Sequence, residues 1–258
     1  MIRTENVSYS IKGKKLISDI SVAFEPNEIS MILGPNGAGK STLINLLSQQ
    51  ISCTEGNVWF DNSDINLLPK NHLAKVRAVL SQNINMVFPL NVEEVVMMGR
   101  YPHFQSKPGK IDEAICSEAM ALFNIYDMAK RNYQSLSGGE KQRVHFARVL
   151  SQVWPDEGNK TKVLLLDEPL TYLDIYYQHE FLTVLREFMQ KQKMVIVGVV
   201  HDLNLAYKFA DKVTLLQKGK LVSHGLKDEV ISKDSIKAVF RVEPNILLNE
   251  KGERFLCF

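Results

Sequence analysis

The sequence predicts an α/β fold built on a mostly parallel sheet and interrupted by a helical insert. Three observations lead there. Apolar and β-branched runs that read as strands alternate with longer segments of helical period, the order expected of a parallel sheet with crossover helices. Between Asn91 and Gln152 the strand signal almost vanishes and helical patterns take over. A glycine-rich stretch, Gly34–Thr42, joins the apolar run Ile29–Leu33 to a helical pattern in which Leu43, Leu46 and Leu47 share one face.

Taken in order, the strand candidates are Ile2–Tyr9, Ser18–Phe24, Ile29–Leu33, Asn57–Phe60 and Ala78–Ser81, followed after the insert by Lys162–Leu166, Met194–Val200 and Val213–Gln217. Within the insert, Asn91-Val92-Glu93-Glu94 is a capping box that opens one helix. Further helices are predicted over about 111–123 and 138–152, with Tyr101-Pro102 and Lys107-Pro108-Gly109 as chain breaks. The loop Trp154-Pro155-Asp156-Glu157-Gly158-Asn159 returns the chain to the sheet. Past it, Asp174 is the N-cap of a helix reaching Gln192, whose core face is Phe181, Leu182, Leu185, Phe188 and Met189. Asp202 caps a shorter helix over Leu203–Ala210.

Composition excludes several function classes. At 258 residues, 45% hydrophobic and 23% charged, the chain can bury a sizeable core. A formal net charge of +2 leaves no electrostatic footprint for nucleic acid or anionic lipid. The three cysteines, Cys53, Cys116 and Cys257, have no C-x-x-C spacing and read as reduced thiols of a cytosolic protein. Met1–Glu5 carries no apolar signal region, and stretches such as Met194–Val200 are too short to span a bilayer. A role in a membrane process therefore requires another chain to supply the membrane part. The histidines His72, His103, His145, His179 and His224 lack ligand spacing, so no dedicated transition-metal site is expected.

Gly34-Pro35-Asn36-Gly37-Ala38-Gly39-Lys40-Ser41-Thr42 fits the pattern of a phosphate-binding loop. Backbone N–H groups wrap a triphosphate only where side chains do not obstruct them, hence the glycines. The helix that follows offers its positive end. Lys40 has the reach for the β- and γ-phosphates, and the Ser41 hydroxyl can hold Mg²⁺. The buried run Val163–Leu166 ends in two carboxylates, Asp167 and Glu168. Asp167 is suited to hold Mg²⁺ through water, and Glu168 to polarise the water that attacks the γ-phosphate. Leu136-Ser137-Gly138-Gly139-Glu140 places a serine and two glycines at a helix start. That is either a second anion site or an ordinary loop with a glycine-softened helix end.

In this order the three elements resemble the ATP-binding cassette (ABC) family, with Walker A at Gly34–Thr42, the signature at Leu136–Glu140 and Walker B ending at Asp167. The resemblance covers nearly the whole chain. It implies a P-loop NTPase core with a mostly parallel sheet, an N-terminal antiparallel β-subdomain and an inserted helical subdomain. Residues 1–82 and 153–258 would form the nucleotide-binding core, and 83–152 the helical subdomain with the signature. Two copies would bind head to tail, so that Ser137, Gly138 and Gly139 of one close over ATP held by the other. Gln82 matches the glutamine that senses Mg²⁺ and the attacking water, although by itself it is a polar strand-end residue. His201 matches the switch histidine expected at the γ-phosphate, although a histidine after an apolar strand also serves as a cap. Asp174 matches the loop that communicates across the dimer. The adenine-stacking aromatic of the family falls at Ile11 here, which leaves Tyr9, two residues earlier on the same strand face, as the candidate.

Met86 to His103 resembles importers for iron chelates, heme and cobalamin, offering a permease an apolar surface with Arg100 and Tyr101 at its edge. Arg143–Trp154, the loop after it and the Gln178-His179 pair resemble the heme-importing branch of that group. The implied protein is an ATPase on the cytoplasmic face of the inner membrane. Its partners would be a second copy of itself, a permease dimer and, indirectly, a heme-binding protein outside the membrane, with no nucleic acid. ATP and Mg²⁺ are the implied cofactors. A ferric-siderophore or cobalamin importer, or a soluble ATPase of iron–sulfur cluster assembly, remains open as an alternative.

Overall fold

The computed structural model describes residues 1–82, 86, 88–155, 160–250 and 254–258. Val87 of the apolar segment and residues 156–159 of the return loop lie outside the described residues. The chain divides into two compact units: residues 1–68, 166–168 and 195–258 form the first, and residues 69–165 and 169–194 the second.

In chain order the strands are β1 (Ile2–Ile11), β2 (Lys14–Phe24), β3 (Glu28–Leu33), β4 (Glu55–Phe60), β5 (Ser63–Asp64), β6 (Arg77–Leu80), β7 (Lys162–Asp167), β8 (Met194–Val199), β9 (Lys212–Gln217), β10 (Lys220–Leu226), β11 (Asn245–Leu248) and β12 (Arg254–Cys257). The α-helices are α1 (Lys40–Leu47), α2 (Lys70–Val76), α3 (Val92–Met97), α4 (Lys110–Leu122), α5 (Gly138–Gln152), α6 (Ile175–Lys191), α7 (Leu203–Phe209), α8 (Lys227–Val230) and α9 (Lys233–Phe240).

The first unit contains two larger sheets and the two-stranded hairpin β11–β12. An antiparallel sheet of order β2-β1-β4-β5 is the N-terminal β-subdomain. In the other, β3 pairs in parallel with both β8 and β9. β8 reads as a continuous apolar run and is buried along its whole length, as a strand covered on both faces must be. β10 was not evident from the sequence. It is an edge strand, antiparallel to β9, with a bulge between Leu221 and Ser223 and only partly buried residues. Its Ser223-His224-Gly225 stretch breaks the hydrophobic alternation on which a strand reading depends. The short hairpin β11–β12 escaped the same reading because most of its residues face solvent.

The second unit holds most of the helices. α5 spans the predicted residues, and its start is a capping box. The Ser137 N–H donates to Glu140 Oε2 at 2.7 Å, and Glu140 N–H returns to Ser137 Oγ at 3.3 Å. Asp174 caps α6 by accepting from Tyr177 N–H at 3.1 Å. Between α5 and α6, Phe146 and Phe181 stack with ring centroids 3.6 Å apart, and Phe123 tilts against both. After α3 the chain tightens into 3-10 turns over Met98–His103, where Pro102 cannot donate to an α-helical ladder.

Arg100 corrects the sequence reading. It is not at the edge of an exposed surface but 6% exposed. Its Nε donates to Asp112 Oδ1 at 2.9 Å and its NH1 to the Ser151 carbonyl at 2.7 Å. The guanidinium joins α4 and α5 to the turn that carries it, because a buried cation requires a partner for each donor. Burial of the Asp112 carboxyl is outweighed by bonds from Gly109 N–H and Arg100, which hold its pKa below the usual value. A lowered carboxylate pKa contributes stability above the unfolded value, and that stability is lost as pH falls through the folded one. Asp112→Ala, which strands the Arg100 charge, should cost about 3–5 kcal/mol in a denaturant titration at neutral pH. The deficit relative to wild type should shrink in acid.

Candidate active site

β3 delivers the chain into the turn Gly34–Gly39, and α1 takes it away. Two of the glycines are required by the structure. A Cβ on Gly34 would lie 2.3 Å from the Leu216 carbonyl oxygen of β9. Gly39 has φ +100°, and its Cβ would meet Ile17 Cδ1 at 2.8 Å. The turn is fastened from outside as well, since Gly219 N–H donates to the Ala38 carbonyl at 3.0 Å. No side chain caps the first turn of α1, and no acidic residue sits there, so its amides and helix dipole face the loop.

Lys40 is 5% exposed, and its ammonium is folded back into its own loop. Nζ donates to the Gly34 carbonyl at 2.8 Å and to the Pro35 carbonyl at 3.2 Å. Burial lowers its pKa, while the nearby charges of Glu168 and Asp167 pull it back up.

Asp167, the last residue of β7, accepts from Ser41 Oγ at 3.0 Å. Burial raises its pKa, and the Ser41 bond only partly offsets this. A hydroxyl beside a desolvated carboxylate is an oxygen pair suited to a hard dication such as Mg²⁺. The chain then turns sharply, because Glu168 adopts φ +52°, a left-handed conformation that costs a non-glycine residue about 1–3 kcal/mol. Consecutive strand residues would otherwise point to opposite faces. Glu168 Oε1 instead lies 2.7 Å from His201 Nε2. His201 lies two residues past β8 and is half exposed, whereas the Glu168 side chain is mostly buried.

The first unit thus brings Lys40, Ser41, Asp167, Glu168 and His201 together beside Gly34, Pro35, Asn36, Gly37, Ala38, Gly39 and Thr42. Gln82, Ser137, Gly138, Gly139 and Asp174 belong to the second unit. Gln82 lies two residues past β6. Gly138 and Gly139 have ordinary backbone angles, and an added Cβ would make only normal contacts, at 3.8 and 3.5 Å from Tyr172. Their own fold does not require them to be glycine. Tyr9 is half-buried on β1 opposite Ile17, and Ile11 is exposed at the end of the hairpin. The sequence located Glu168 and His201 but not their pairing, and it carried no signal for the Gly219 anchor.

Residues 17–171 match the family model for the ABC transporter domain. The chain is 39% identical over 247 residues to the hemin import ATP-binding protein HmuV of Escherichia coli, covering 96% of this chain and 94% of that protein. It is 40% identical over 254 residues to the protein of that name from Pseudomonas aeruginosa, with 98% and 97% covered. Among solved structures it is similar to a metal-chelate type ABC transporter in an inward-facing conformation. That match has TM-score 0.81 and 24% identity, over 100% of this chain and 97% of that one. It is also similar to a nucleotide-free ATP-binding cassette from an ABC transporter, with TM-score 0.76 and 20% identity over 94% and 95%.

Gly34→Ala should displace β9 from the loop and reduce ATP affinity by at least about tenfold, measured by nucleotide titration, since about 1.4 kcal/mol of misplacement suffices for that. Gly37 is open by contrast: an added Cβ there would meet no atom within 4 Å. Gly37→Ala should therefore be better tolerated in the same titration, its cost arising only from φ +76°.

Proposed function

The chain belongs to the ABC transporter family, and on that premise we propose that it is the ATP-hydrolysing subunit of an importer that carries heme (hemin) across the cytoplasmic membrane. The observation that carries the reading is identity of about 40% with hemin import ATP-binding proteins over nearly the full length of both chains. The geometry of the first unit supports the hydrolytic part.

The amides of Gly34–Thr42 and the Lys40 ammonium bind the triphosphate, and Lys40 exchanges its loop carbonyls for phosphate oxygens. Ser41 and Asp167, with Gln82, would hold Mg²⁺, which neutralises charge across the β- and γ-phosphates when bound. Glu168 takes the proton of the attacking water. His201 holds the Glu168 carboxylate in place and faces the γ-phosphate. Tyr9 is the candidate for the adenine ring.

Ser137, Gly138, Gly139 and Asp174 act on ATP bound by a second copy. Two glycines that their own fold does not require are consistent with a close approach from outside the chain. ATP binding favours the closed dimer and hydrolysis the open one, so the work available to a permease is the difference in affinity between the two states. Residues 83–152 act as the helical subdomain that transmits it. There, a cavity of about 950 Å³ is lined by Met97, Tyr101, Phe104 and Met120 with Glu93 and Glu113 among its polar groups. Tyr101, 57% exposed, fits a helix from the permease, whereas Arg100 is committed to the interior. No helix among the described residues is long and apolar enough to cross a membrane. The chain acts at the cytoplasmic face of the inner membrane through its permease partners. A heme-binding protein outside the membrane completes the pathway.

A strain lacking this gene should fail to grow with hemin as sole iron source and should grow on a ferric siderophore. Failure on the siderophore alone would refute the substrate, and growth on both would mean either a redundant transporter or the soluble assembly role. Glu168→Gln should bind ATP normally, hydrolyse it at least about 100-fold more slowly and elute as a dimer with ATP on a sizing column. Monomeric elution would contradict the sandwich.

A further inference from the structure

α7 has only seven residues, too few to be stable alone, so its position is set by what holds its ends. Two contacts do this at its start. Asp202 Oδ1 accepts from Asn204 N–H at 2.7 Å and Leu205 N–H at 3.0 Å. The Asn204 side chain then reaches the C-terminal hairpin: Nδ2 donates to the Leu256 carbonyl at 3.0 Å and Oδ1 accepts from Leu256 N–H at 2.7 Å. One primary amide satisfies both backbone groups of one residue of β12, which neither a carboxylate nor an apolar side chain can do. Leu256 itself is 4% exposed. A second link, Arg254 to Asp228 at 3.6 Å, is half exposed and correspondingly weak. Asp228 also receives the Tyr207 hydroxyl of α7.

Asp202 adjoins His201, and His201 pairs with Glu168 at 2.7 Å. A continuous set of bonds therefore runs from β12 through Asn204 and Asp202 to the histidine and the carboxylate. We propose that Asn204 is a positioning residue for ATP hydrolysis: by docking the C-terminal hairpin onto the first turn of α7, it sets where His201 stands against Glu168. The inference rests on the roles given to Glu168 and His201 above. It makes the hairpin β11–β12, which has no part in binding phosphate, a support for the catalytic pair. Misplacement of a catalytic group by a fraction of an ångström is enough to slow a reaction while leaving substrate binding intact.

The test is steady-state ATPase of the full chain. Asn204→Ala should lower kcat about tenfold and leave KM for ATP within about twofold of wild type. Asn204→Asp supplies the specific readout. Ionised, its carboxylate opposes the Leu256 carbonyl; protonated, its O–H donates there while the other oxygen accepts from Leu256 N–H. Its kcat relative to wild type should therefore start near the Ala value at about pH 8 and climb as pH falls toward about 5.5, because the Leu256 carbonyl facing the carboxylate disfavours its charge and raises its pKa above the ordinary value. The ratio to wild type is taken at each pH because the neighbouring His201, Asp202, Asp228 and Arg254 are present in both proteins. A wild-type kcat in Asn204→Ala, or an Asn204→Asp profile parallel to wild type, overturns the inference. If Asn204→Ala does not fold, Asn204→Asp decides alone, because its two protonation states are compared in one protein. His201→Ala separates the levels: retention of wild-type kcat there refutes the catalytic pair, whereas its loss together with an unchanged Asn204→Ala refutes only the positioning role.

Discussion

An ammonium group buried in a loop of its own making is the constraint from which the site follows. Lys40 is almost fully covered, and a buried cation is tolerable only where oxygens stand against its N–H groups. The carbonyls of Gly34 and Pro35 accept from two of its three N–H donors, and they can do so only because Gly34 lets the backbone pass against β9. Asp167 and Glu168 add the countercharge. The same desolvation that disfavours the Lys40 charge disfavours that of Asp167, so each would gain from a ligand carrying the opposite sign.

The strand end at Asp167 and Glu168 shows how backbone conformation divides labour between neighbours. Asp167, still in β7, bonds Ser41 at the start of α1. Glu168 leaves the strand through a left-handed residue and meets His201 two residues past β8. The strain at Glu168 is tolerated because the flanking strand is buried and its position is over-determined. Contacts beyond the phosphate loop extend this logic outward, through Asp202 and Asn204 to β12.

The second unit solves a different problem, the ordering of several short helices. Ser137 and Glu140 cap α5, Asp174 caps α6, and the Arg100–Asp112 pair ties α4 and α5 to the turn after α3. Ser137 and Asp174 are held by local bonds within this unit, so their side chains are already oriented before any partner arrives. At Leu136–Glu140 the serine caps the helix, while a Cβ added at either glycine after it would meet only ordinary contacts.

Much of this was legible in the linear order of residues. The phosphate loop, the twin carboxylates, the caps at Asp174 and Asp202 and the extent of α5 follow from spacing, because each depends on bonds between residues a few positions apart. The edge strand β10 and the hairpin β11–β12 were not legible, since partly exposed strands lack the hydrophobic contrast that marks the buried ones. Arg100 shows the limit most clearly: a charged residue beside a tyrosine and a proline reads as surface, and only its partner Asp112, on the next helix, turns it inward. By itself the sequence determined the motifs, a glycine-rich loop followed by paired carboxylates, and with them the family. Tertiary structure decided the pairings: Glu168 with His201, Arg100 with Asp112, Asn204 with Leu256. Those depend on register, on strand-end geometry and on which groups burial leaves in need of a partner, and none of these is encoded in local spacing.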